Sequence, residues 1–197
     1  MSSRRVAMTH SLLKQSLIEL MEKKKLRQIS IKEICENADV SRSTFYTYYG
    51  SQYDLLEAIR KEIIEASQQM AAKEVNHDEW HTRRLLERHF QYIVDNIRMF
   101  MAFSLEGSED YEIPRRTMQI ILLPYIDEQL ARRNPLISAD EYEHTCLFCI
   151  FGCISVVKNW MRNPSRFTPS ALSEDLIRYI NAVIDVGSRN TSSGREL

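Results

Sequence analysis

Glycine and proline are scarce, with five of each in 197 residues. An all-β fold needs a turn signal about every 8–12 residues, and this supply cannot provide them. Long apolar runs are missing as well: the longest, residues 146–154, is under half of the roughly 20 residues that cross a bilayer. No basic-then-apolar leader with a cleavage site opens the chain, so a cytoplasmic protein with no membrane partner is expected. The four cysteines, Cys35, Cys146, Cys149 and Cys153, lie inside helical patterns and do not form the framework of a small secreted domain. Reduced thiols are expected. There is no phosphate-cradling glycine loop, no nucleophile with a base at a telling spacing and no paired acid and base. No catalytic residue, cofactor or metal is assigned, and an enzyme is not expected.

What is present is helical period. The chain is 44% apolar, enough to bury a sizeable core, and apolar residues recur at i, i+3, i+4 and i+7 over most of its length. The fold class is all-α. A formal net charge of −1 hides an asymmetry: residues 1–52 carry nine Lys/Arg against five Asp/Glu, net +4, and the remainder carries 17 against 22, net −5. A basic end of this kind suits nucleic acid, and it suits an ordinary solvated surface equally well. The motif it contains decides between them.

That motif is residues 30–56, SIKEICENADVSRSTFYTYYGSQYDLL. Ser30 and Glu33 have the spacing of a capping box, and Ile31, Ile34, Cys35 and Ala38 make one apolar stripe of a two-turn helix. Asp39 sits at the corner, where a short polar side chain tolerates left-handed backbone. Ser41 caps the next helix, whose Phe45 and Tyr49 point inward with Val40 packing before them. Arg42, Ser43, Tyr46 and Thr47 point outward with no carboxylate among them, as a phosphate-lined groove requires. This is a helix-turn-helix, in which the second helix lies in the major groove.

The stretch ISIKEICENADVSRSTFYTYYGSQYDLL resembles the DNA-binding domain of the TetR/AcrR family of bacterial transcriptional regulators, over about residues 5–60. The resemblance implies an N-terminal three-helix helix-turn-helix domain (1–52, its signature extending to about 66) and a larger helical effector-binding and dimerisation domain (53–187). Residues 1–5 are expected as a disordered arm and 188–197 as a disordered tail. Position by position, the family pattern makes Lys32, Arg42, Ser43 and Thr44 candidates for reading bases. It makes Ser30, Ser41, Tyr46, Tyr48 and Gln52 candidates for phosphate contacts; Thr47 and Tyr48 complete the outward set. The family usually has Gly at position 39 and Lys at 52; Gln52 keeps only an amide donor there. The implied function is a dimeric repressor on a near-palindromic double-stranded operator, released by a small apolar effector. The alternative is control by a protein partner, or activation.

Downstream, Lys23, Lys24 and Lys25 close a first helix over 6–24 and suit its dipole as well as they would suit DNA. A helix from Ser51 to about Lys73 joins the two domains, and Pro124 is expected to kink a later helix and open space beside it. Cys146, Cys149, Cys153, Val156 and Trp160 form one seam on a helix that is apolar on nearly every side, so it is expected to bury two fronts. Together with the last helix, the family pattern makes Cys149, Cys153, Val156, Trp160, Leu176, Ile180 and Val183 candidates for the homodimer interface. Phe100, Phe103, Met118, Tyr125, Phe148 and Phe151 are candidates for an effector pocket. His77 and His81, four apart, offer a remote reading as a metal-dependent hydrolase, but position 78 carries Asp where the zinc-helix motif needs Glu.

Overall fold

The computed structural model describes residues 3–106 and 111–193. Within them are nine α-helices, two short 3-10 turns and no strand. The helices are α1 (Ser3–Met21), α2 (Ile31–Ala38), α3 (Arg42–Tyr48), α4 (Gln52–Ala71), α5 (Glu79–Asp95), α6 (Ile97–Glu106), α7 (Glu112–Arg133), α8 (Ala139–Met161) and α9 (Pro169–Ser193). The chain divides into two compact units, and the division falls inside α4, between Ile63 and Ile64. The boundary expected from the sequence, at 52/53, lies within the first of these units. α6, which the sequence placed with the second domain, belongs to the first unit.

In the first unit α1 lies against α2 and α6, and α2 against α3. Leu13, Leu17 and Met21 of α1 are buried with Ile34, Cys35, Ala38, Phe45 and Leu55. The buried Ser16 hydroxyl donates to the Ile34 carbonyl (2.8 Å), and Asn37 donates to Glu19 (3.0 Å). Arg98 of α6 grips Glu22 of α1 with two hydrogen bonds, Nε at 2.7 Å and Nη2 at 2.9 Å. The expected arm is helical from Ser3: Arg is a good helix former, and Thr9 Oγ1 donates back to the Arg5 carbonyl (3.0 Å). Residues 1 and 2 lie outside the described residues.

The second unit packs α5 against α9 and α7, and α8 against α7 and α9. Phe90 and Trp160 meet at 5.7 Å between ring centroids, and the Trp160 indole donates to the Phe167 carbonyl (2.9 Å). α7 continues through Pro124, which cannot donate to the carbonyl four residues back. The space there is small, about 40 Å³, bounded by Ala71, His77, His81, Leu85, Ile120 and Pro124 among others. α9 continues past Gly187 to Ser193 where a tail was expected; one glycine costs a helix only about 1 kcal/mol relative to alanine. Residues 194–197 of that tail lie outside the described residues, as do 107–110 of the expected loop before α7.

Candidate nucleic-acid interface

The reader is built by caps and two aromatic anchors. Ser30 accepts from the Glu33 amide (3.3 Å) while Glu33 accepts from the Ser30 amide (2.9 Å), closing the capping box at the start of α2. Lys24 adds an ion pair to the same carboxylate. This hydrogen-bonded lysine, with the two Ser30 contacts, lowers the Glu33 carboxyl to about 2. Lys24 is thus engaged in holding α2, which decides its role in the lysine run. The signal was present in the sequence as a cation just upstream of Ser-x-x-Glu.

Asp39 ends α2 in left-handed backbone (φ 52°, ψ 45°), as the corner demanded, and its amide and that of Val40 bond back into α2. Ser41 then caps α3, accepting from the Thr44 amide (3.1 Å) and sharing hydrogens with the hydroxyls of Ser43 (2.9 Å) and Thr44 (2.8 Å). A serine cap of this kind contributes about 1 kcal/mol. Phe45 is fully buried and Tyr49 nearly so, and they fix the roll of the helix.

With that roll set, Arg42, Ser43, Tyr46 and Thr47 are exposed, Tyr46 by 57%. Lys32 is exposed on α2 and pairs loosely with Glu36 (3.7 Å). The Thr47 hydroxyl donates to the Ser43 carbonyl (3.0 Å), leaving its methyl as the group free to touch a thymine methyl. An open cleft of about 340 Å³ runs between α2 and the start of α3, lined by Lys32, Cys35, Glu36, Asp39, Val40, Ser41 and Arg42. Tyr48 and Gln52 flank the junction of α3 and α4, both half-buried. The junction is tight: Gly50 donates to the Asp54 carboxylate (3.0 Å), and a Cβ on Gly50 would come within 2.9 Å of that oxygen. All ten DNA candidates thus lie on α2, α3 or the adjoining termini.

One residue of this region went unread in the sequence. His10 of α1 bonds the Tyr49 hydroxyl through Nδ1 (2.5 Å) and lies over the Tyr48 ring, with centroids 4.5 Å apart. Its signal was its place on the α1 stripe, three residues before Leu13 and seven before Leu17.

The pocket candidates do not gather. Met118 and Tyr125 are buried in the second unit, where the Tyr125 hydroxyl donates to Asn181 (2.8 Å). Phe148 and Phe151 are on the outside of α8, and Phe100 and Phe103 belong to α6 of the first unit. Of the dimer candidates, Cys149, Cys153, Trp160, Leu176 and Ile180 are buried within the protomer, and Val183 is half-buried. Only Val156 faces out, alongside Leu147, Phe148, Phe151 and Gly152, so the cysteine seam is the inward front of α8. An all-round apolar helix gives no hint of which side its own core takes. Burial pushes the Cys149 and Cys153 thiols up to about 12, which suits packing and opposes thiolate chemistry. His81 is held by Asp78, whose carboxylate caps α5 through the His81 amide (2.9 Å). Among the described residues no three His, Cys, Asp or Glu are placed to hold a metal.

The comparisons with known proteins fit this geometry. Residues 16–59 match the bacterial regulatory proteins of the tetR family, and residues 78–182, more than half of the chain, match a transcriptional regulator C-terminal region. No curated protein matches the sequence. Among solved structures, the chain is similar to the dihydroxyacetone kinase operon activator DhaS, at 17% identity and TM-score 0.62, covering 90% of this chain and 97% of that one. It is also similar to the fatty acid degradation regulator FadR from Bacillus halodurans (14%, TM-score 0.61, covering 87% and 94%). FadR from Bacillus subtilis in complex with stearoyl-CoA is a third (16%, TM-score 0.60, covering 86% and 96%). At such identities the likeness is one of fold. With its helix-turn-helix and its regulatory region both matched, the chain belongs to the TetR family of DNA-binding transcriptional regulators.

Proposed function

We propose that the protein is a homodimeric, cytoplasmic regulator that sets α3 of each protomer into successive major grooves of a near-palindromic operator. The observation that carries this reading is the exposed, carboxylate-free set Arg42, Ser43, Tyr46 and Thr47 over buried Phe45 and Tyr49. Arg42 reads guanine through O6 and N7, Tyr46 and Tyr48 hold phosphates, and Thr47 offers its methyl to thymine. The test is selection of duplexes from a randomised pool. Arg42→Ala is expected to lose about 1–3 kcal/mol and relax preference at one base pair, whereas Tyr46→Ala weakens all sequences alike. Indistinguishable selectivity profiles for the two variants would remove the assignment.

Dimerisation is assigned to the outer front of α8, where Leu147, Phe148, Phe151 and Val156 leave apolar area in water on either side of Gly152. Nothing lies within 4 Å of a Cβ built at Gly152, so a second helix could approach there closely. α8 is long and apolar enough to resemble a membrane span, with mean hydropathy 1.3, but half of it is buried within the protomer. A partner helix on the other half accounts for the rest. The regulator role leaves no chemistry for the buried thiols or for His81, and we assign no catalysis.

Repression relieved by a small apolar effector is the leading mode of control; the Bacillus subtilis FadR neighbour was solved with stearoyl-CoA. The gap beside Pro124, about 40 Å³, would have to open to take such a molecule, since sites for molecules of that size run to about 300–1,000 Å³. The tightness at that place favours a second reading, in which a protein partner supplies the signal. Thermal melts with and without stearoyl-CoA, and native mass spectrometry of protein taken from cells, separate the two.

A further inference from the structure

We infer that His10 is a positioning residue for DNA binding: from α1 it holds the C-terminal end of α3, and so sets Tyr48 and the start of α4 against the DNA backbone. The inference rests on the reading that α3 meets DNA. It starts from Tyr49, the residue that ends α3 in extended backbone (φ −138°, ψ 131°) with its amide donating to Phe45 (2.9 Å). Tyr49 is only 8% exposed, and a buried tyrosine hydroxyl needs a partner. His10 Nδ1 is that partner at 2.5 Å, reaching across 39 residues of chain.

Burial raises Tyr49 to about 12, so the phenol keeps its proton, and which of the two atoms donates follows the imidazole tautomer. The same imidazole meets Tyr48 at 4.5 Å, tilted by 55°, and Tyr49 edge-on at 5.5 Å. One ring thus fixes two consecutive side chains, one facing in and one at the outer face. From Tyr49 the aromatic contacts run on to Phe45 (5.7 Å) and from Phe45 to Tyr46 (5.8 Å). Three residues past Tyr49 the chain reaches Gln52, through the Gly50 junction, where a Cβ would meet the Asp54 carboxylate at 2.9 Å. A shift of Tyr49 therefore moves Tyr48 and Gln52 together, and with them the backbone contacts of each half-site.

The experiment is a double-mutant cycle in DNA affinity, using a duplex that the wild-type protein selects from a randomised pool, with thermal melts of every variant. His10→Phe keeps a ring and loses Nδ1; Tyr49→Phe loses the hydroxyl. Each is expected to weaken binding about fivefold, and the pair together no more than either alone. His10→Asn, whose Oδ1 can stand where Nδ1 was, is expected to recover affinity to within about twofold of wild type. A role in stability alone would lower the melting temperature yet leave the affinity of the folded protein unchanged, and that result overturns the inference. Additive losses overturn it too. If His10→Phe does not fold, Tyr49→Phe and His10→Asn carry the same decision. Failure of the wild type to select any duplex would defeat the DNA reading itself, a different outcome from a wild type that binds and a His10→Phe that binds equally well.

Discussion

α3 and α8 solve opposite problems. α3 is seven residues long and shows water a polar face, while its two aromatic anchors go inward. α8 is 23 residues long, buries its cysteines and Trp160, and shows water Leu147, Phe148, Phe151 and Val156. The first surface is finished when a charged groove meets it. The second is left apolar, and apolar area in water is relieved only by another apolar surface. One protein thus carries a polar face and an apolar face, and each suits its own kind of partner.

The inward face of α3 is where the largest effect is expected. Phe45→Ala should cost about 3–5 kcal/mol, because a fully enclosed ring is lost and the caps at Ser30 and Ser41 cannot close the hole. Urea unfolding followed by circular dichroism measures it. A loss under 1 kcal/mol would show that the first unit is not organised around this ring.

Buried polar groups have partners in both units, as Ser16 and Tyr49 do in the first and Tyr125 in the second; His89, buried in α5, has none at Nδ1. Burial lowers its imidazole from 6.5 to about 4. Above pH 6.5 both folded and unfolded chains are neutral there, and stability is unaffected. As the pH falls from 6.5 to about 4 the unfolded chain takes up the proton first. Stability is therefore lost across that window, by up to about 3 kcal/mol. His89→Leu should flatten this part of the stability curve against pH; an unchanged slope would place the loss elsewhere.

The outer face of α8 comes next. Phe148 is 67% exposed in the protomer, so Phe148→Glu should leave the fold intact and weaken self-association by about 2 kcal/mol or more, as a charge in the centre of an apolar contact does. Sedimentation velocity at several concentrations reads this directly. Cys153→Ala, on the inward front, should instead lower stability with association unchanged. If the two variants exchanged phenotypes, the assignment of fronts would be reversed.

These contrasts explain what could be read without a structure. The period of Ile34, Cys35, Ala38, Phe45 and Tyr49 was legible because polar residues lie between them, and the side that is polar is the side that faces out. Ser30 with Glu33 announced its cap by spacing alone. α8 was legible as a helix, but with Cys, Phe, Ile and Val on every side its two fronts were indistinguishable. Phe148 was accordingly assigned to a pocket and Cys149 to the interface, the reverse of their burial. His10 was hidden for a different reason. Its place on the α1 stripe marks it as inward, but a bond across 39 residues leaves no local spacing that names its partner.

The smallest expected effect returns to the reader. Gln52 opens α4 and is half-buried beside the Gly50 junction. A lysine there would oppose the helix dipole, at a cost of about 0.3–1 kcal/mol in stability. Against a phosphate it would add one charge per protomer and release one more counterion per half-site. Gln52→Lys should therefore bind the selected duplex several-fold tighter at low salt. The slope of log affinity against log salt should steepen by roughly 2 for the dimer, at about 0.9 per phosphate neutralised. The two readouts separate the causes, since the stability loss belongs to the free protein and the salt slope belongs to the complex. A slightly less stable variant with an unchanged slope would mean that position 52 stands away from the backbone, and that Tyr48, held by His10, carries the phosphate contact at that end of α3 alone.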